Sequence, residues 1–422
     1  MPMRDRLEAL QKAGTPIRVG LVGAGQMGRG FIAQVAGIPG MEVSAAADIN
    51  PDLAAEAFRR AGLEPTFGLN GTSVNSVCPA ITDDASEVAR SDRVDVVVEA
   101  TGVPEVGARV AYEAIQNGKH VVMLNVETDV TVGATLQKMA GSAGVVYTGS
   151  AGDEPGAIME LFDFAASLGF EVVVAGKGKN NPLDFSATPE SLAGEAERKR
   201  MNPKMLASFV DGTKTMVEMA AVANATGFVP DVPGMHGPEE TDPNRLPETF
   251  ALEKDGGILS KLGVVDYVRG VAPGVFVIVR SVPGDVRETL SYLGQGAGPN
   301  HVFYRPYHLT SLETPISVAR AAIFGEPTIT ALGDPVAEVV AVAKRDLDAG
   351  DILGGIGAAD YYGWTRTVES AVGTLPVGLA SGAKVVRPVA KGEEVPRSAV
   401  EISEGSFVAG LRRMQELTLE RG

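Results

Sequence analysis

Three sets of residues have types and spacings suited to chemistry. The first is Gly23-x-Gly25-x-x-Gly28, which follows the apolar run Val19-Gly20-Leu21-Val22 and holds Gln26 and Met27 between its last two glycines. In the order strand, turn, helix, the first glycine permits the turn, the second lets a pyrophosphate approach the backbone and the third lets the helix pack closely, while the helix N-terminus offers free N–H groups. Asp48 closes the next expected strand 20 positions after Gly28, where a carboxylate can accept hydrogen bonds from ribose hydroxyls. With strand, helix and acid in place, the pattern points to a dinucleotide rather than to a glycine-rich structural turn. The second set is Gly176-Lys177-Gly178-Lys179-Asn180-Asn181-Pro182. Two lysines and two carboxamides at an expected strand end concentrate donors that suit a phosphate or a developing oxyanion; the alternative is a solvated charged turn. The third set is Asp211, Lys214 and Glu218, spaced i, i+3 and i+7 and so expected on one helix face. An acid, an amine and an acid in line can relay a proton and polarise a carbonyl, or can form a salt-bridged solvent face. Their apolar neighbours Met216, Met219, Ala220 and Val222 favour the lining of a cleft.

Residues 1–150 read as a doubly wound α/β domain. Strands expected at 41–47, 94–98 and 145–148, and a turn and strand over 118–125, alternate with helices at 51–61, 104–117 and 132–143. Ligands of such sheets bind beyond the carboxyl ends of the strands, so Thr101, Gly102 and Asn125 to Glu127 are expected to face the nicotinamide half of a cofactor. The loop 149–156, with Gly152, Glu154 and Pro155, reads equally as an interdomain hinge or as a cover over the nicotinamide. Residues 68–79 are expected to be a surface insertion in which Cys78 is incidental. Residues 151–333 form the expected substrate domain, with a strand at 170–175, helices over 202–225 and 315–324, and Arg305, Tyr307 and His308 crowded together as an anion contact. Residues 334–422 read as a small, mostly β module containing Trp364 and closed by a helix over 407–420.

The 422 residues carry a formal net charge of −16, which disfavours a nucleic-acid backbone or an anionic membrane as partner. A small molecule is expected, and if it is anionic a local cluster of cations must bind it. One cysteine excludes an internal disulfide and suits a reducing cytoplasm. No secretory leader or membrane span is expected. His236 and His308 belong to a set of only four histidines without metal-ligand spacing, so no catalytic metal is expected.

The motif Gly118-Lys119-His120-Val121-Val122 and the Asp211-x-x-Lys214 helix resemble the homoserine dehydrogenase superfamily, although Asn125-Val126-Glu127 lacks the lysine that follows this asparagine in homoserine dehydrogenase itself. A closer resemblance is to the 1-deoxy-D-xylulose 5-phosphate reductoisomerase-like group, through Asn125 to Glu127, Gly152 to Pro155, Gly176 to Pro182, residues 211–225, Met235 to Pro238 and Arg305 to Glu313. The resemblance implies a Rossmann domain, a central α/β domain for substrate and dimer contacts, and a C-terminal SAF domain. It also implies NADP(H), for which small or basic residues follow the second strand. Asp48 departs from this, because a carboxylate there repels a 2′-phosphate, and so favours NAD(H). The implied activity is hydride transfer to or from a small, phosphorylated hydroxy or keto compound. Lys177 and Lys179 would polarise its carbonyl, Asp211 and Lys214 would relay the proton, Glu127 would position hydroxyls, and Asn180, Asn181, Arg305 and His308 would bind substrate. A simple polyol or hydroxy-acid dehydrogenase without rearrangement, and a non-catalytic NAD sensor, remain as alternatives.

Overall fold

The computed structural model describes residues 1–69, 78–280 and 283–419. Most of the expected insertion 68–79 lies outside these residues; Cys78 is exposed. The chain divides into two compact units, one formed by residues 1–153, 309–330 and 406–422, the other by residues 154–308 and 331–405.

The first unit is built on a parallel sheet. Its strands are β1 (Ile17–Val22), β2 (Met41–Ala47), β3 (Thr66–Phe67), β4 (Ala80–Thr82), β5 (Val96–Glu99), β6 (His120–Met123) and β7 (Tyr147–Gly149), in the order β3-β4-β2-β1-β5-β6-β7. β1, β2 and β5 read as near-continuous apolar runs because both faces of the sheet are covered; Val19, Leu21, Val96 and Val98 are fully buried. The order reverses between β1 and β5, where Val22 stands opposite Glu99, and this reversal opens a crevice at the carboxyl ends of the strands. Helix Gln26–Val35 turns Phe31, Ile32 and Val35 onto the sheet.

The expected closing helix of the C-terminal module instead belongs to this unit. Helix Phe407–Leu419 packs on helices Pro104–Gln116 and Val126–Ala143. Its N-terminus is held by Glu105, whose carboxylate accepts from the amides of Phe407 (2.8 Å) and Val408 (3.1 Å), meeting the orphan N–H groups of a helix start with a negative charge. The segment 309–330 also returns here: the Gly149 amide donates to the Ile329 carbonyl, and the Thr310 amide to that of Gly152, each at 2.8 Å.

The second unit has a mixed sheet of β8 (Glu171–Lys179), β9 (Val229–Pro230), β10 (Val264–Arg269), β11 (Val275–Arg280) and β12 (Asn300–Arg305), in the order β12-β11-β8-β10-β9. Val174, Val264, Val268, Phe250 and Phe276 form its core on one face. The module expected over 334–422 does not stand apart: its β-rich part, within residues 331–405, is part of this unit. Their hairpin, Ala337–Ala343 with Tyr361–Thr367, is tied to helix Thr213–Thr226 by Asn224, which accepts from the amides of Val336 (2.9 Å) and Ala337 (3.0 Å), and by Thr213, which accepts from that of Gly363 (2.8 Å). A two-stranded hairpin alone lacks a second layer to cover its apolar face, and this helix supplies it.

Candidate active site

The dinucleotide cradle of the first unit follows from the packing of its glycines. A Cβ on Gly28 would lie 2.0 Å from the Gly23 carbonyl oxygen, so only glycine lets the helix start this close to the loop. A Cβ on Gly25 would meet nothing within 4 Å, which leaves the backbone there open to a ligand. Gln26 and Met27 form the first helical turn with their amides free of intrahelical acceptors. The Asp48 carboxylate accepts from the Ala24 amide (2.7 Å) and the Asn50 amide (2.9 Å). It therefore braces the glycine loop, and each oxygen keeps a second lone pair for a hydroxyl donor.

At the end of β5, Glu99 is fully buried and accepts from the amide (3.0 Å) and the hydroxyl of Thr101. Burial pushes its carboxyl up to about 7 against the opposing Thr101 hydrogen bonds. This acid was not among the expected site residues, although a carboxylate ending the apolar run Val96-Val97-Val98 is a readable signal. Gly102 takes a left-handed conformation with open space where a side chain would be. Asn125, expected to face the nicotinamide, is instead fully buried: its carbonyl oxygen caps helix Val126–Ala143 through the Thr128 amide (3.1 Å), and its amide donates to the Val103 carbonyl (3.2 Å). That helix begins six residues earlier than expected, so Glu127 lies buried in its first turn rather than on a strand-end loop. Gly152 (φ 81°) is packed so tightly on the 310–313 segment that a Cβ would come 2.5 Å from the Thr310 carbonyl oxygen, which excludes a side chain there.

The second unit gathers the charged residues. The Gly-Lys-Gly-Lys motif is not a turn past a strand end but the last part of β8 itself. Gly176 and Gly178 are needed because Cβ atoms there would lie 2.5 Å from the Phe276 ring and from the Ala272 nitrogen. With the glycines on one face, Lys177 and Lys179 share the other, and both are buried. The Lys177 ammonium donates to Glu154 at 2.5 Å and to Glu218. Burial alone would lower its pKa, but the two carboxylates raise it above the ordinary lysine range. Glu218 itself is pushed up by burial and by the nearby Glu154 charge. His308 joins this group, with Nε2 3.5 Å from Glu154, and Pro155 is buried in the first turn of the helix that carries Glu154. Lys179 donates to the Phe209 carbonyl at 2.5 Å, and burial followed by the charge of Lys177 brings it down to about 8.

The expected Asp211–Lys214 relay does not form. The helix breaks at Gly212, whose φ of 86° is left-handed, so Asp211 ends helix Pro203–Val210 while Lys214 lies in helix Thr213–Thr226. Asp211 is fully buried and pairs with Lys344 at 2.8 Å, and accepts from the Thr213 amide at 2.8 Å. Burial outweighs that cation and holds the Asp211 carboxyl above its usual range. Lys214 acts instead on Glu218, lowering its pKa. Lys344 had no local signal in the sequence, being an ordinary lysine at the end of an apolar strand. Asn180 and Asn181 lie past the strand end and hydrogen-bond to each other (3.1 Å). Arg305 is directed to Glu160 (3.0 Å) and stacks over Tyr307, rather than standing open to an anion. His236 is on Asp266 (2.9 Å), which stands opposite Gly176 in the β8–β10 register, out of phase with Lys177 and so on the other face.

Residues 23–148 match the family of the homoserine dehydrogenase NAD binding domain, and residues 152–314 match the catalytic domain of oxidoreductase DRL. Homoserine dehydrogenase of Neisseria gonorrhoeae is 33% identical over 117 residues, 26% of this chain and 23% of that protein; that of Methylobacillus glycogenes is 32% identical over 120 residues, 26% and 25% respectively. The chain thus spans about a quarter of the length of these curated relatives. Among solved structures, a probable dehydrogenase from Thermotoga maritima is 14% identical, with 74% of this chain and 90% of that chain covered and a TM-score of 0.44. Scyllo-inositol dehydrogenase from Lactobacillus casei, solved with NAD(H), is 15% identical over 64% and 75%, with a TM-score of 0.38. Among the described residues, no helix is long and apolar enough to cross a membrane. A segment that matches the NAD binding domain of homoserine dehydrogenase is thus followed by one that matches the DRL catalytic domain, an order that supports a DRL-like member of the homoserine dehydrogenase superfamily.

Proposed function

We propose that the chain is an NAD-dependent oxidoreductase that interconverts a hydroxyl and a carbonyl on a small compound carrying an anionic group such as phosphate. The observation that carries this reading is the Lys177 ammonium, a buried cation with two of its three N–H groups committed to Glu154 and Glu218. The third is available for a substrate oxygen, and a fixed ammonium in a dry site stabilises a developing alkoxide without reorganising. Because the carboxylates hold Lys177 protonated, it acts as an electrophile and not as a base. Lys179, brought down to about 8, is suited to take the hydroxyl proton in oxidation and return it in reduction. Lys177, Lys179, Lys214 and Lys344 gather four ammonium groups in one unit of a protein of net charge −16, a local concentration of cations that supports an anionic group on the substrate.

The glycine cradle fits a dinucleotide: Gly23, Gly25, Gln26 and Met27 would hold its pyrophosphate, Asp48 its ribose hydroxyls, and Thr101 and Gly102 its nicotinamide end. When bound, the coenzyme supplies or accepts the hydride. Asp48 supports NAD(H) over NADP(H), because its carboxylate opposes a 2′-phosphate. Binding of NADH and NADPH to the purified chain, followed by turnover of 1-deoxy-D-xylulose 5-phosphate and of four- and five-carbon polyols with and without phosphate, tests the proposal. Coenzyme binding without turnover of any of these would favour a sensor, and turnover undiminished in Lys177→Met would remove Lys177 from the chemistry.

A further inference from the structure

The first unit contains a cavity of about 840 Å³ at the amino-terminal edge of the sheet, lined by residues of helix Met3–Ala13, by the starts of β1 and β6, and by Ala322 and Ile323. β1 rises about 3.3 Å per residue over its six residues, so this edge lies roughly 17 Å from the glycine cradle at the other end of the strand. A ligand here would not touch the dinucleotide.

The cavity wall is apolar along Leu10, Ile17, Val94 and Ile323, with cations set into it. Lys119 is only 6% exposed, and its ammonium makes one hydrogen bond, to the Val94 carbonyl at 2.8 Å. Among the described residues no carboxylate lies within 4 Å of that ammonium, which leaves two of its three N–H groups without an acceptor. Burial lowers its pKa; Asp92 and Asp95, which also line the cavity, oppose this and Arg18 adds to it. Arg18 and Asp95 are already paired at 2.5 Å, and Asp92 is exposed. A second cation in the wall, Arg6, stacks on the Phe324 ring at 4.7 Å, and its buried Nε has no acceptor. Buried polar groups left unsatisfied are rare and costly, and two cations in one cavity of an acidic protein, neither with a carboxylate at ion-pair distance among the described residues, call for an anion.

We propose that this cavity binds a small organic anion with an apolar body, its charged group on Lys119 and its body along Leu10, Ile17 and Ile323. The site is separate from the coenzyme and substrate sites, and the proposal does not depend on the reaction assigned to them.

The test is calorimetric titration of the full chain with sodium hexanoate, hexyl phosphate and, as a neutral control, 1-hexanol. One or both anions are expected to bind saturably at one site per chain, at least tenfold more tightly than hexanol; which anion binds tells carboxylate from phosphate. Lys119→Met should weaken binding at least tenfold and Lys119→Arg should retain it. Ala9→Trp, on an exposed helix position in the cavity wall, should block the site without disturbing the core, and so serves if Lys119→Met fails to fold. NADH affinity should be the same with and without the anion. Absence of saturable binding by both anions at millimolar concentration, binding of hexanol as tight as that of the anions, or undiminished binding in Ala9→Trp would overturn the proposal. So would displacement of the anion by NADH, or a cavity filled by a second copy of the chain in solution.

Discussion

The pairing of Asp211 with Lys344 instead of Lys214 makes a quantitative prediction. The Lys344 ammonium forms an ion pair with Asp211 at 2.8 Å and donates to the Ala187 carbonyl at 2.7 Å and to the Ala358 carbonyl at 2.8 Å. The two side chains are 2% and 0% exposed. Asp211→Asn keeps the shape but leaves the ammonium without a counter-charge, and a buried ion stripped of its partner costs about 3–5 kcal/mol. Against a typical domain stability of about 5–15 kcal/mol, that is a large share. Lys344→Met leaves a carboxyl that burial already holds above its usual range, so folding would drive it to take up a proton, at a smaller cost. Combining the two substitutions removes both charges. The double variant is therefore expected to be more stable than the two losses added together, by a coupling of about 2–3 kcal/mol. Trp364, the only tryptophan, lies in the strand Tyr361–Thr367 within the same unit, so urea unfolding followed by its fluorescence reads the relevant part of the chain. The same cycle with Lys214→Met in place of Lys344→Met should give a clearly smaller coupling. A Lys214 coupling equal to or larger than that of Lys344 would refute the reasoning and restore the relay that the sequence spacing suggests.

Other consequences are more direct. If Lys179 takes the substrate proton, kcat/KM for oxidation should rise with pH through an inflection near 8 and that for reduction should fall; an unchanged inflection in Lys179→Met would assign it to another group. Because the folded-state pKa of Lys179 is lowered, folded chains bind fewer protons than unfolded ones between about 8 and 10.4. Its contribution to stability should accordingly improve as pH rises through that window, an improvement that denaturant titrations of Lys179→Met would lack. Gly28→Ala, whose Cβ would lie 2.0 Å from a backbone oxygen, should lower the melting temperature and abolish coenzyme binding together. Gly25→Ala, which meets nothing within 4 Å, should melt as the parent does and lose only coenzyme affinity; equal melting temperatures for the two variants would contradict the packing described. Asp48→Ser should shift the NADH/NADPH affinity ratio toward NADPH while weakening both, since the brace on the Ala24 amide is also shortened; an unchanged ratio would remove Asp48 from coenzyme selection.

The sequence by itself determined the parallel sheet of the first unit and the place of its cradle. Strand, glycine turn and helix are adjacent in the chain, and their apolar periodicity, glycine spacing and the acid at Asp48 are short-range signals that local backbone physics interprets almost alone. It also singled out Lys177, Lys179 and Glu218 by residue type. Tertiary structure decided what those residues do. Lys177 meets Glu154 across 23 positions and Glu218 across 41, a meeting set by the packing of two helices on one face of β8. The Gly-Lys-Gly-Lys run reads as a turn until Phe276 and Ala272 are seen to crowd its glycines, which makes it a strand. Helical spacing joined Asp211 to Lys214, but one left-handed glycine between them rotated the acid toward a lysine 133 positions away. Likewise, residues 334–422 read as a module of their own until the hairpin Ala337–Ala343 with Tyr361–Thr367 is seen against helix Thr213–Thr226. Periodicity records which way a side chain faces along its own element; the partner it finds there depends on which distant surfaces bury one another, and a buried charge is held by the partner that burial brings to it.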